Sequence, residues 1–147
     1  MEQSEYYKTF GDSIKSIEFI SFRSGKKLFF IEGKSSSPKP ISENKQKLNE
    51  FIDPIVEKFL HSYQMYLSTK FHINIDAKNE FPDCLFKHEI SEIKIIFLLI
   101  INGHEQKWLM PILDCLHKKL IVQKKIWKVE IAVWNDEMAR KHNFIKP

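Results

Sequence analysis

The chain has 147 residues, with 23 Lys or Arg against 19 Asp or Glu and a net charge of +4 at pH 7. Apolar residues make up 43% and aromatic residues 13%, which excludes a disordered or low-complexity chain and predicts one domain over residues 1–147 with a substantial core. The positive charge is compatible with an anionic partner, but it is too small for a dedicated nucleic-acid-binding arm.

The N-terminus carries no signal-peptide pattern, and the longest apolar run, Ile95–Ile101, is far shorter than the roughly 20 residues that span a bilayer. Cys84 and Cys115 lack metal-ligand spacing and lie in apolar contexts, which favours reduced thiols over a disulfide. We therefore expect a soluble, cytoplasmic protein without a membrane partner.

The first clear elements form a β-hairpin. Residues 1–15 fit either a short strand or a helical turn. Two β-branched and aromatic runs, Ile17–Phe22 and Lys27–Ile31, then flank the turn signal Arg23-Ser24-Gly25-Lys26. Alternation along the strands predicts one shared face for Ile20, Phe22, Leu28, Phe30, Glu32 and Lys34.

The length of the turn decides where two acids fall. A three-residue turn with Gly25 or its neighbour at positive φ puts Glu18 directly opposite Glu32. A two-residue turn pairs Glu18 with Ile31 and sends the two acids to opposite faces. The sequence leaves both registers open.

Helical spacing runs from Glu43 to about Thr69, and Pro54 either kinks one helix or follows Asp53 at the start of a second; we favour the single helix. The remaining predicted elements, in chain order, are a short strand Phe71–Asp76, a loop 77–89, a strand Glu92–Ile101 buried on both faces, a helix Trp108–Val122 with Pro111 in its first turn, a strand Lys128–Trp134, and a helix Glu137–His142 capped by Asn135-Asp136.

This order predicts an α/β (α+β layered) domain with helices on both faces of a mixed sheet. The sheet is expected to be antiparallel at the hairpin and parallel where a helix connects Ile101 to Lys128.

The strand-end triplet Glu32-Gly33-Lys34, together with Glu18, is a candidate metal site. Two nearby carboxylates repel each other, and a divalent cation relieves that repulsion; Mg²⁺ favours one or two carboxylates with water and phosphate oxygens. Lys34, two residues along the same face, can position water and stabilise charge on a phosphate. A hairpin with solvated charged ends explains the same residues without any chemistry.

In these residues, with FFIEGKSS as the closest local match, the chain resembles the PD-(D/E)xK nuclease superfamily over about residues 17–101. The resemblance implies a restriction-endonuclease-like fold and Mg²⁺- or Mn²⁺-dependent cleavage of nucleic acid, DNA more than RNA. Glu18 and Glu32 would hold the metal, and Lys34 would lie beside the attacking water.

The chain departs from the family pattern at several positions. Glu18 stands where the family usually has Asp, and no Pro precedes it. A further acid that some members carry earlier would have to be Glu2 or Glu5, and a polar helper in the following helix would be Gln46.

Two other groups are candidates for function. The densest basic run would contact phosphates, or would form a solvated helix end; its members are Lys118, Lys119, Lys124, Lys125 and Lys128. His104-Glu105 follows the central strand, where ligands bind in open α/β sheets, and either does acid–base work or forms a turn before a helix.

The alternative function is a non-enzymatic interaction subunit, or an inactive nuclease-fold protein, that binds a protein partner or a second copy of itself. Trp108, Trp127 and Trp134 are suitable anchors for such a contact.

Overall fold

The computed structural model describes residues 17–74 and 86–144. In chain order they form strand β1 (Phe19–Arg23), strand β2 (Lys27–Lys34), a 3-10 turn (Ser42–Asn44), helix α1 (Lys45–Lys70), a second 3-10 turn (Ile90–Glu92), strand β3 (Lys94–Ile101), helix α2 (Gln106–Lys119), helix α3 (Ile121–Lys125), strand β4 (Glu130–Asn135) and helix α4 (Asp136–Lys141). The expectations for residues 1–15, for Cys84 and for most of the loop 77–89 fall outside the described residues.

The four strands form one mixed sheet in the order β1-β2-β3-β4. β1 runs antiparallel to β2, whereas β2, β3 and β4 are mutually parallel. The predicted α/β class with a mixed sheet is therefore confirmed, as are the antiparallel hairpin and the parallel connection between Ile101 and Lys128.

The hairpin turn has three residues. Arg23 pairs with Lys27 and Phe19 pairs with Ile31, and φ is +80° at Gly25 and +56° at Lys26. The structure thus selects the three-residue turn, and it confirms that Ile20, Phe22, Leu28 and Phe30 share a face, because all four pack in the same core cluster.

The main core lies between this face of the sheet and helices α1 and α2. Phe97 on β3 is at its centre, with ring centroids 5.7 Å from Phe30, 4.9 Å from Phe59 and 5.6 Å from Tyr63. The predicted central position of β3 is confirmed, since β3 lies between β2 and β4 and seven of its eight residues are buried.

The opposite face of the sheet forms a smaller cluster of Phe29, Ile31, Ile96, Leu98 and Ile100, against which Ala139 of α4 packs. Helices therefore lie on both faces, but unequally, because the two long helices share one face. Successive right-handed crossovers that advance in one direction across a sheet give this arrangement.

The predicted strand Phe71–Asp76 is wrong over its described residues, 71–74. The amides of Phe71, His72 and Ile73 donate to carbonyls of Leu67, Thr69 and Ser68 in the last turns of α1. Those carbonyls have no partner further along the helix and capture the next amides. The segment folds back as a turn and does not extend as a strand.

Both long helices refine the sequence predictions. α1 continues through Pro54 as one helix, as favoured. The helix predicted over Trp108–Val122 is interrupted at Leu120 and forms α2 and α3. Because α2 begins at Gln106, Pro111 lies in its second turn and not in the first. Among the described residues, no helix combines the length and apolar character that crossing a membrane requires.

Candidate functional site

The carboxyl ends of the three parallel strands meet at one edge of the sheet. Lys34 pairs with Ile101, and Ile101 pairs with Asn135. The Asn102 amide donates a 2.8 Å hydrogen bond to the Lys34 carbonyl, and the Gly103 amide donates one of 2.8 Å to Oδ1 of Asp136. Open α/β sheets bind ligands at this edge, and Glu32-Gly33-Lys34 ends there.

Glu32 is a fully buried carboxylate near this edge, with 0% of its surface exposed. Its Oε1 accepts a 3.0 Å hydrogen bond from Nζ of Lys58. Its Oε2 is buried and makes no hydrogen bond within residues 17–74 and 86–144. Burial raises the pKa of Glu32, and the nearby charge of Glu18 raises it further, whereas Lys58 and Lys34 lower it.

Lys34 lies beside this carboxylate. Its Nζ is 3.8 Å from Oε1 of Glu32, and 32% of its side chain is exposed. The ammonium therefore neighbours the buried acid on one side and solvent on the other. This is the juxtaposition that the alternation of β2 predicts.

Glu18 falls one step beyond the last pair of the hairpin, Phe19 with Ile31, and therefore opposite Glu32. The chain bends at Glu18, and Ile17 turns into the main core. The Glu18 carboxylate lies over Gly33, where an added Cβ would be 3.3 Å from its Oε2. Since Gly33 faces away from Glu32 in the alternation of β2, Glu18 approaches the strand end from the other side of the sheet.

Lys58 is the residue that the sequence analysis missed. It lies on α1 between the buried residues Ile55 and Ser62, at the helical spacing that defines the buried stripe of this helix. A lysine within such a stripe needs a partner for its charge, because burying an unpaired ammonium is costly. That spacing was the available signal, and Glu32 is the partner.

One oxygen at the strand end, Oε2 of Glu32, is of the type that binds a hard divalent cation. The described part of the chain holds no cluster of three or more His, Cys, Asp or Glu side chains suited to a metal ion. Mg²⁺ needs only one or two carboxylates, because it keeps several waters and uses phosphate oxygens as further ligands. Glu32 offers one carboxylate here, whereas Glu18 lies over Gly33 on the other side of the strand. Since Oε2 of Glu32 accepts no hydrogen bond from the part of the chain that the structure describes, it can act as a ligand oxygen of the type Mg²⁺ prefers.

The polar helper that the resemblance suggests, Gln46, is hydrogen-bonded within its own helix. Gln46 donates a 3.2 Å hydrogen bond to Glu50 on the exposed side of α1. Glu2 and Glu5 are outside the described residues.

His104 and Glu105 do not hydrogen-bond to each other in the structure. Nε2 of His104 is buried without a hydrogen-bond partner among the described residues, and burial lowers the pKa of this imidazole. Glu105 is exposed, pairs with Lys107 at 3.0 Å, and has a lowered pKa mainly because of that hydrogen bond. The geometry agrees with a turn before α2, with φ of +68° at Gly103.

The lysines of the basic run differ in their surroundings: one forms an ion pair, one lies close to a histidine, and three are exposed. Lys119 forms a 2.6 Å ion pair with Asp53 of α1. Lys124 lies 3.5 Å from Nδ1 of His117. Lys118, Lys125 and Lys128 are exposed. Lys128 precedes β4, whose first residue pairs with Ile96 near the amino end of β3, so this lysine lies at the edge of the sheet away from Lys34.

Comparison of the chain with models of protein families, with curated proteins and with solved structures finds no match.

Proposed function

We propose that this protein is a metal-dependent, nuclease-like hydrolase of nucleic-acid phosphodiesters, with Glu18, Glu32 and Lys34 as its site and a restriction-endonuclease-like arrangement of its core. The observation that carries the proposal is the buried carboxylate of Glu32. It lies at the carboxyl edge of the parallel strands, with two lysine ammoniums beside Oε1 and, among the described residues, no hydrogen-bond partner for Oε2.

The position of Glu32 is difficult to explain by stability alone. A buried carboxylate with a raised pKa is costly in its charged form, and perturbed acids of this kind cluster at functional sites. A solvated hairpin end, the plainer explanation of the sequence, has no need of a fully buried acid. The burial therefore supports the site.

Glu32 would hold Mg²⁺ or Mn²⁺ through its Oε2, and Glu18 would be the second carboxylate if its exposed side chain turned from Gly33 toward the ion. The ion would supply electrostatic stabilisation of phosphate charge and a water that ionises near neutral pH. Lys34 would keep its ammonium between Oε1 of Glu32 and the solvent-facing side of the site, where a phosphate oxygen can contact it. Oriented positive charge at that position stabilises the negative charge that develops as the phosphodiester is attacked.

The substrate is proposed to be DNA more than RNA. The exposed lysines Lys118, Lys125 and Lys128 would add affinity that depends on salt and not on sequence. Since Lys128 lies at the opposite edge of the sheet from Lys34, we infer that these lysines bind a distant part of the nucleic acid and take no part in cleavage.

A cleavage assay with Mg²⁺ or Mn²⁺ on duplex DNA, single-stranded DNA and RNA tests the proposal. Wild type is expected to cut at least one substrate, and Lys34→Ala to lose that activity. Lys27→Ala is the matched control, because Lys27 is an exposed lysine at the other end of the same strand. Both variants should melt within a few degrees of wild type. If wild type cuts nothing, or Lys34→Ala cuts equally well, the assignment is wrong.

A second candidate function is a protein-binding module, and two observations favour it. The Glu18 carboxylate lies over Gly33, away from Glu32. Four large apolar side chains on and after α3 are exposed: Ile121 by 41%, Val122 by 51%, Ile126 by 70% and Trp127 by 48%. Exposed apolar patches of this kind mark interaction sites.

The Trp127→Ala variant separates the two functions. Under the second candidate, the protein forms a stable complex or dimer that Trp127→Ala weakens and Lys34→Ala does not. A monomeric wild type that cleaves DNA and is unaffected by Trp127→Ala would exclude it. Size-exclusion chromatography with light scattering, alongside the cleavage assay, gives both measurements.

A further inference from the structure

Lys58 supplies a positive charge next to the buried carboxylate of Glu32. Its Nζ is 3.0 Å from Oε1, which is a charge-assisted hydrogen bond, and its side chain is 21% exposed. Lys34 is further away, at 3.8 Å. Lys58 is therefore the principal counter-charge of the only fully buried carboxylate among residues 17–74 and 86–144.

Lys58 lies on a different element of the fold from Glu32 and Lys34. Glu32 and Lys34 share strand β2, whereas Lys58 reaches the carboxylate from helix α1. Lys58 lies one turn from Ile55 and next to Phe59, both fully buried. The core thus anchors the base of this lysine against the strand end.

We propose that Lys58 is a built-in competitor of the divalent cation at Glu32, so that its ammonium neutralises the carboxylate until a metal ion displaces it. The inference rests on the proposed function. Two positive charges that share one carboxylate in a partly buried site repel each other strongly. Lys58 therefore lowers the affinity of this site for metal while keeping Glu32 charged and positioned without it.

The experiment is calorimetric titration of Mn²⁺ alone into the full-length protein. We expect Lys58→Met, which keeps an unbranched apolar stem, to bind Mn²⁺ at least about tenfold more tightly than wild type. Lys47→Met is the matched control, because it removes the same charge from an exposed position on the same helix, and it should leave the affinity within about twofold. Glu32→Gln should abolish binding.

The outcomes separate the inference from the proposed function. If wild type binds Mn²⁺ through Glu32 but Lys58→Met binds it equally or more weakly, the competition is refuted and the function stands. If Lys58→Met gains affinity while no protein cuts nucleic acid, the competition stands and the hydrolase assignment fails. If neither protein binds Mn²⁺, both fail. If Lys58→Met does not fold, Lys58→Gln replaces it. Gln removes the charge but keeps a polar group, and the same gain in Mn²⁺ affinity is expected.

Discussion

Gly33 lies so close to Glu18 that a Cβ added to it would be 3.3 Å from Oε2 of that carboxylate. Gly33 is part of the regular ladder of β2 and has no positive φ. Its lack of a side chain is therefore not required by the backbone. The neighbouring carboxylate occupies the adjacent space, and it would have to shift by a few tenths of an ångström to admit a methyl group.

Gly33→Ala is accordingly expected to separate stability from function. Ala fits the extended backbone without strain, and Glu18 is an exposed, flexible side chain that can move by a few tenths of an ångström. We expect a Tm within about 3 °C of wild type. Moving the carboxylate should weaken Mn²⁺ binding severalfold. A Tm loss above about 8 °C, or unchanged Mn²⁺ affinity, would contradict this explanation of Gly33.

Glu32→Gln is expected to stabilise the fold at neutral and alkaline pH. The folded pKa of Glu32 is raised above its value of 4.5 in the unfolded chain, chiefly by burial, with Glu18 raising it and Lys58 and Lys34 opposing. A group with a raised folded pKa contributes stability below the unfolded pKa and loses it as pH rises through the folded pKa. Gln resembles the protonated acid and does not titrate.

The measurement for Glu32→Gln is Tm against pH in the absence of divalent ions. The two proteins should have similar Tm values near pH 4. Above pH 4.5 the Tm of the variant should increasingly exceed that of wild type, until Glu32 is fully charged in wild type. Glu18→Gln, an exposed acid beside the same site, is the control and should show a smaller difference. A wild type that is more stable than Glu32→Gln at pH 8 would refute the prediction.

Gly25→Ala should destabilise the hairpin. Gly25 has φ of +80°, a conformation that costs an L-residue about 1 kcal/mol more than glycine. For a domain of this size that corresponds to a Tm lowered by about 2–4 °C. Ser24→Ala, in the same exposed turn, should melt within about 1 °C of wild type. Equal Tm values for Gly25→Ala and Ser24→Ala would exclude strain at this position.

Asn135→Ala should be more damaging, because Asn135 is buried and makes two contacts at the carboxyl edge. Its Oδ1 accepts from the Met138 amide at 2.9 Å and caps α4, and its Nδ2 donates to the His104 carbonyl at 3.2 Å. Loss of both hydrogen bonds should lower the free energy of unfolding by about 2 kcal/mol. Asn135→Ser keeps a capping oxygen and should lose about half as much. Chemical denaturation of the three proteins ranks them, and an equal loss in both variants would show that the cap contributes nothing.

The hairpin and the central strand were predictable because their signals are local. The turn residues around Gly25 and the uninterrupted apolar run of Ile95–Ile101 need no knowledge of distant contacts. Only the choice between two turn lengths was left open, because Ser24, Gly25 and Lys26 suit either.

The sequence predictions failed or were incomplete where hydrogen bonds to distant or competing groups determine the structure. The alternation in Phe71–Asp76 resembles a strand, but the free carbonyls at the end of α1 capture these amides first. The bond of Lys58 to Glu32 spans 26 residues of sequence, and it depends on how α1 crosses β2, which helical periodicity does not specify. The approach of the Glu18 side chain to Gly33 depends on the bend at Glu18, and that bend has no local signal in the sequence.

One short turn sets two properties of this molecule at once. The pairing that follows from Ser24-Gly25-Lys26 directs Ile20 and Phe22 into the core and also sets Glu18 opposite Glu32. An insertion or deletion there would expose apolar side chains as it displaced the acid. Natural selection for folding alone would therefore preserve the spacing of these carboxylates, even in a lineage that had ceased to use them.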